Sequence, residues 1–175
     1  VVERVGGDAD AQASWNPETR SWKSGGSEIE TPLPEGYPPP TPPGALEIKR
    51  YPGVRRAEID GTGRSSNVGF MPLFRHIQRN EIAMTAPVEM DYPLKAETAS
   101  ATGEWTMSFL YRTPDLHPVG TDEADPRIRI RDVEEMTVLS LGGRGTYDPS
   151  RILRDVTTLH DWLAEHPEWE RAGDP

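Results

Sequence analysis

Histidine and methionine are the side chains of this sequence best suited to holding a metal or a polarisable ligand. The histidines are His76, His117, His160 and His166, and the methionines include Met71 and Met84. No two of the four histidines lie i, i+4 from each other. His160 and Asp161 are adjacent and so face apart on a helix. A zinc site is therefore not expected. Met71 and Met84 suit an irregular apolar wall, because methionine adapts its shape, and they suit plain core packing equally well. The chain has no cysteine, so thiolate catalysis and Cys-ligated zinc or iron–sulfur sites are excluded. Ser65-Ser66 and Ser108 have no neighbouring base in sequence, which leaves nucleophilic catalysis without specific support. Gly61-Thr62-Gly63 and Gly142-Gly143-Arg144-Gly145 lack the Lys-Ser/Thr of a phosphate loop and read as turns. Glu134-Glu135 and the acidic cluster from Asp122 to Asp125 read as solvated faces.

Composition narrows the class. The 175 residues carry 29 acidic and 19 basic side chains, a formal charge of -10. That balance opposes nucleic-acid binding, which needs clustered Lys and Arg, and opposes docking on an anionic membrane surface. No apolar run approaches the roughly 18 residues of a membrane span. The chain begins at Val1, without Met, and a long leader without cysteine favours export over an organellar or cytoplasmic home.

The elements that must position these residues follow from periodicity. Residues 1–44 are expected to be an extended Pro/Gly-rich leader, with Pro38 to Gly44 in polyproline II. Its aromatic residues Trp15, Trp22 and Tyr37 allow part of it to pack on the domain or on a protein partner. Residues 45–175 form the domain proper. Leu46 to Tyr51 and Val54 to Ile59 alternate as strands around Pro52-Gly53. Phe70, Leu73, Phe74 and Ile77 recur at helical spacing, and Pro72 is then expected in the first turn. His76 falls about 100° from the centre of that stripe, on its rim, and Arg75 points away from it. Ile82 to Tyr92, Trp105 to Tyr111, Arg127 to Arg131 and a buried-type Met136 to Leu141 read as strands. His117 to Pro126 reads as a loop. Asp148-Pro149 starts a second helix whose apolar stripe is Ile152, Val156, Leu159 and Leu163. A cationic His166 near that helix's end suits the helix dipole. The order predicts an α+β fold of two similar halves, each a helix on an antiparallel sheet.

The stretch Ile82-Ala83-Met84-Thr85-Ala86-Pro87-Val88, following the Phe70 to Ile77 helix and the Leu46 to Pro52 strand, resembles the hallmark of the SOUL haem-binding family. The similarity runs from Leu46 to about Trp169, through the Trp105 to Tyr111 and Arg127 to Gly145 segments. It implies a distorted antiparallel β-barrel flanked by two helices. It also implies reversible, non-enzymatic binding of haem or a related tetrapyrrole in an apolar groove beside the first helix. Three departures stand out. The link from His76 to Glu81 is short. The opening-strand position where one branch of the family carries a histidine falls on Arg50, which cannot ligate iron. The family's closing hairpin is missing after the last helix, so either the C-terminus is trimmed or the leader supplies the missing edge.

Haem needs apolar walls, often an axial ligand, and cations near its propionates. The resemblance puts the family's pocket positions on Met71 and His76, and Phe70 and Phe74 of the helix face, with the adaptable Met84, are the other candidate lining residues. His76 is the candidate iron ligand and Arg50 the candidate propionate partner. Three readings stay open: a tetrapyrrole carrier, an interaction module on the same fold that has lost its ligand, and a small-molecule enzyme suggested only by fold analogy.

Overall fold

A computed structural model describes residues 1–63, 65, 67–93, 103–146 and 148–173. Ser66, named above, lies outside them. Residues 1–44 do not remain an extended leader. They hold β1 (Val2–Gly7), β2 (Ala13–Asn16), β3 (Ser21–Ser24) and β4 (Ser27–Ile29). The last three form an antiparallel meander in which Trp15 lies opposite Trp22, the rings 5.4 Å apart. β1 pairs antiparallel with β5 (Ala45–Tyr51), from Val2 opposite Lys49 to Gly7 opposite Ala45. The leader thus supplies an edge strand. The proline-rich stretch is also held down. Pro34, Pro38 and Pro42 are buried, and Lys49 Nζ donates to the Pro39 carbonyl. Thr41 and Ser140 hydroxyls lie 2.8 Å apart, and Tyr37 packs edge-on to Tyr51 at 4.9 Å. These strands are short and barely alternate. The unpaired edge of β5, far along the chain, lets β1 form, and pairing of this kind overrides weak local preference.

The remaining strands and α-helices are β6 (Val54–Thr62), α1 (Asn67–Arg79), β7 (Val88–Asp91), β8 (Glu104–Leu110), β9 (Gly120–Thr121), β10 (Arg129–Val133), β11 (Met136–Leu141) and α2 (Pro149–Glu165), with a 3-10 turn at Pro114–Leu116. β5 is the centre of the sheet β1-β5-β11, and β6 the centre of the sheet β7-β8-β6-β10-β9. β5 and β6 are consecutive, yet each pairs with other partners. The fold is therefore α+β, with two α-helices and three antiparallel sheets among the described residues. No closed barrel ring is formed among the described residues. No helix among them is long and apolar enough to cross a membrane.

Period-two alternation gives the five-stranded sheet two different faces. Ala57, Ile59, Trp105, Met107, Phe109 and Ile130 join Leu73 and Ile77 of α1 in the core. The other face is charged. Glu58 is buried there and accepts from Arg131 Nε at 2.8 Å, Arg129 Nη2 at 3.1 Å and Arg56 Nε at 3.1 Å. Such a charge is tolerable only because it is paired.

Several boundaries differ from the sequence expectation. α1 begins at Asn67, so Pro72 sits inside the helix, beyond the first turn. The carbonyl it leaves without a helical partner belongs to Val68, an exposed residue open to water. Only Val88–Asp91 of the Ile82 to Tyr92 segment is a strand. β11 is half-buried to exposed, because α2 and β5 cover it incompletely. α2 starts as expected: Asp148 accepts from Arg151 N at 2.9 Å, with Pro149 next. Of its stripe, Val156 is buried and Ile152, Leu159 and Leu163 are half-buried.

Candidate functional site

α1 exposes its chemistry on two opposite flanks. Its buried residues are Gly69, Leu73, His76 and Ile77. Gly69 sets this orientation: a Cβ there would sit 2.8 Å from Cζ3 of Trp105 and 3.3 Å from Cγ2 of Ile59. A glycine lets the helix press onto that ring. The core-facing side is therefore rotated away from Phe70 and Phe74, which become half-buried and stack at 5.9 Å. His76 is two residues from Phe74, about 160° around the helix, and lies on the other flank.

The first flank is apolar. Phe70 meets Phe109 edge-on at 5.1 Å. Val88 and Met90 of β7 lie opposite Phe109 and Met107 of β8. Phe70, Phe74, Met84, Val88, Met90 and Tyr92 are all partly exposed and packed against the core. Met71 lies further round toward solvent and is 44% exposed. Half-exposed aromatic and methionine side chains along one helix flank form an apolar wall that a flat hydrophobic ligand can cover.

The second flank is closed and polar. His76 has no exposed surface, so its expected place on the rim is wrong. Its Nδ1 is hydrogen-bonded to Asp122 Oδ2, and its Nε2 is 2.6 Å from the Tyr111 hydroxyl. Asp122 is itself buried. It accepts from Arg79 Nη2 at 2.9 Å and from the backbone N–H groups of Ala124 at 2.8 Å and Asp125 at 2.7 Å. The acidic cluster is thus not a solvated face at Asp122. The signal was local: an aspartate two and three residues before the amides it binds is an Asx turn. The His117 ring stands 5.2 Å from that of His76.

These donors hold the Asp122 carboxyl below the usual range. Burial lowers His76 as well, against the pull of Asp122. The hydrogen bonds agree with a neutral imidazole whose Nδ1–H donates to Asp122 while Tyr111 donates to Nε2. Both native pKa values lie below their unfolded ones, so in acid the unfolded chain binds more protons and stability falls as pH falls. We expect the His76 contribution to be complete above about pH 6.5 and to decline below it, with Asp122 following below about 4. Urea midpoints measured between pH 8 and 4 would check this. His76→Gln should remove the upper part of the decline.

The link after α1 is a helix cap. Glu81 adopts a positive φ of 54°, and Ile82 N donates to Ile77 O at 2.9 Å. Ile82 and Ile77 both enter the core. This is the hydrogen bond and apolar contact of a Schellman stop. Thr85 Oγ1 then donates to Leu110 O at 2.6 Å, and Ala86 N to Pro32 O at 2.9 Å. The Ile82 to Val88 stretch therefore fastens α1, β8 and the leader together, and presents Met84 at the apolar edge.

Of the expected site residues, Phe70, Phe74 and Met84 are partly buried against the core, and Met71 is exposed. His76 is buried on the opposite flank with both ring nitrogens engaged. Arg50 is in the other sheet, exposed, and paired with Glu135 at 2.7 Å. Val88, Met90 and Tyr92 carry no signal of a site in the sequence, because their partial exposure depends on β7 being a sheet edge. His166 stacks on Trp162 at 3.9 Å and donates to its carbonyl. No cluster of three metal-ligating His, Asp or Glu side chains occurs among the described residues.

A family model described as SOUL heme-binding protein matches residues 40–174. No curated protein matches the chain.

Proposed function

The chain belongs to the SOUL heme-binding protein family, and from that premise we propose that it binds a tetrapyrrole reversibly and without catalysis along the α1–β7 edge. The observation that carries this reading is the run of half-exposed Phe70, Phe74, Met84, Val88, Met90 and Tyr92 beside the core. These residues fit a flat apolar ring. They would hold its face and exclude water from it, with the propionates left toward solvent. Haem, when bound, supplies an iron centre. His76 is not its ligand in this reading, because Asp122 and Tyr111 occupy both ring nitrogens. Arg50 is not its propionate partner, since it lies in the other sheet, on Glu135. Affinity then comes from apolar contact and is largely independent of the metal.

Absorbance titration with hemin and with zinc protoporphyrin tests this. Saturation near one equivalent is expected for both. Phe74→Ala should weaken both by roughly tenfold, the scale of a lost aromatic contact, and the exposed Met136→Ala on the other sheet should change neither. Binding that never saturates would sink the proposal and leave the interaction module as the better reading.

A further inference from the structure

A cavity of about 410 Å³ lies away from α1, between the leader and the end of β11. None of its lining residues belongs to α1. The leader provides Ile29, Leu33, Tyr37 and several prolines, β5 provides Tyr51, and the segment after β11 provides Arg144. Its size falls within the roughly 300–1,000 Å³ typical of small-molecule sites, and its lining is mixed: prolines and aliphatic side chains beside the hydroxyl residues Ser24, Ser27, Thr41 and Ser140. Tyr37 and Tyr51 meet edge to face and give it an aromatic wall.

Two polar features point to what it takes. Among the described residues Arg144 is the one charged side chain lining the cavity, and no carboxylate lines it. Its guanidinium lies over the β3–β4 turn, where Nη1 would be 3.5 Å from a Cβ on Gly26. Gly25 and Gly26 both have positive φ, and the turn they make brings the leader under that cation. Ser24, 7% exposed, also lines the cavity, and its hydroxyl is buried with no hydrogen-bond partner. A buried hydroxyl in a native fold normally has one.

We propose that this cavity is a second ligand site, for a small aromatic monocarboxylate. Its ring would pack against Tyr37, Tyr51 and Leu33 and its carboxylate would pair with Arg144. Ala86 and Pro87 also line the cavity, so it adjoins the Met84 to Val88 stretch but takes its cation and its aromatic wall from residues outside the tetrapyrrole edge. Guanidinium suits it because the planar fork matches a carboxylate.

The probe is 2-naphthoate, followed by calorimetry on the full chain, with neutral 2-naphthamide for comparison. Saturable binding near one equivalent is expected. Arg144→Gln should weaken naphthoate about tenfold or more and leave the amide unchanged. Arg144 is exposed, so this variant should fold, which circular dichroism would check. Hemin titration of Arg144→Gln should match that of the parent chain. Equal affinity for acid and amide, indifference to Arg144→Gln, no saturable binding, or displacement of naphthoate by hemin would each overturn the proposal.

Discussion

Asp122→Ala should lower the unfolding free energy by about 3–5 kcal/mol, the usual cost of removing one partner from a buried charge cluster. The side chain is 5% exposed and accepts from His76 Nδ1, Arg79 Nη2 and the amides of Ala124 and Asp125. Alanine leaves all four donors without their acceptor. Arg79 is partly exposed and recovers water, whereas His76 cannot. Asp122→Asn should fall between, since the amide oxygen still accepts but the countercharge to Arg79 is gone. Tyr111→Phe should cost about 1 kcal/mol. The effects of Asp122→Ala and His76→Ala should not add, because the two share partners. Chemical denaturation measures all of these. A loss below about 1 kcal/mol for Asp122→Ala would mean that water replaces the cluster.

The second large effect should follow removal of residues 1–44. The thermal midpoint should fall by on the order of 10 °C or more, since each kcal/mol is worth about 2–4 °C at this size. The truncated chain should also self-associate. Removal bares the edge of β5 that β1 pairs with, and an open edge recruits other strands. It also strips the Pro39 carbonyl from Lys49, a side chain 1% exposed, whose remaining partner is Glu47. Desolvation lowers the Lys49 pKa in the intact chain. Scanning calorimetry and light scattering would decide the matter. An unchanged midpoint and a monomeric truncated chain would show that the leader contributes nothing to the domain.

Local signals carried much of the fold. Alternation located β5, β6 and β8, and the Asp148-Pro149 pair located the start of α2. The Ile82 to Val88 hallmark pointed to the family, although its visible role is a cap and fastening rather than a ligand contact at every position. What stayed hidden depends on partners far along the chain. β1 is Val2-Glu3-Arg4-Val5 and two glycines, with no alternation to mark it, until β5 is beside it. His76 reads as a rim residue from its own helix and becomes buried only because Tyr111 and Asp122 come to it from β8's end and the loop beyond. The apolar stripe misled for the same kind of reason: Gly69 contributes nothing to hydrophobicity, yet the Trp105 ring it admits turns the helix. The candidate site was therefore half legible. Phe70 and Phe74 could be grouped by spacing and Met71 by the family resemblance, but the β7 side chains beside them could not.

β5 has a consequence for synthesis. On one side it pairs with β1, and on the other with β11, where Leu141 comes to lie beside Leu46. As the chain leaves the ribosome, β1 and the β2–β4 meander are already out when β5 emerges, so the β1–β5 ladder can close at once. β11 arrives much later, after α1 and the whole five-stranded sheet have been made. Domains assemble in the order their parts appear, and distant pairings close slowly. From the release of Tyr51 to the release of Met136, the half-made protein holds one protected border and one bare one, and that interval is when a nascent chain of this kind most needs a chaperone.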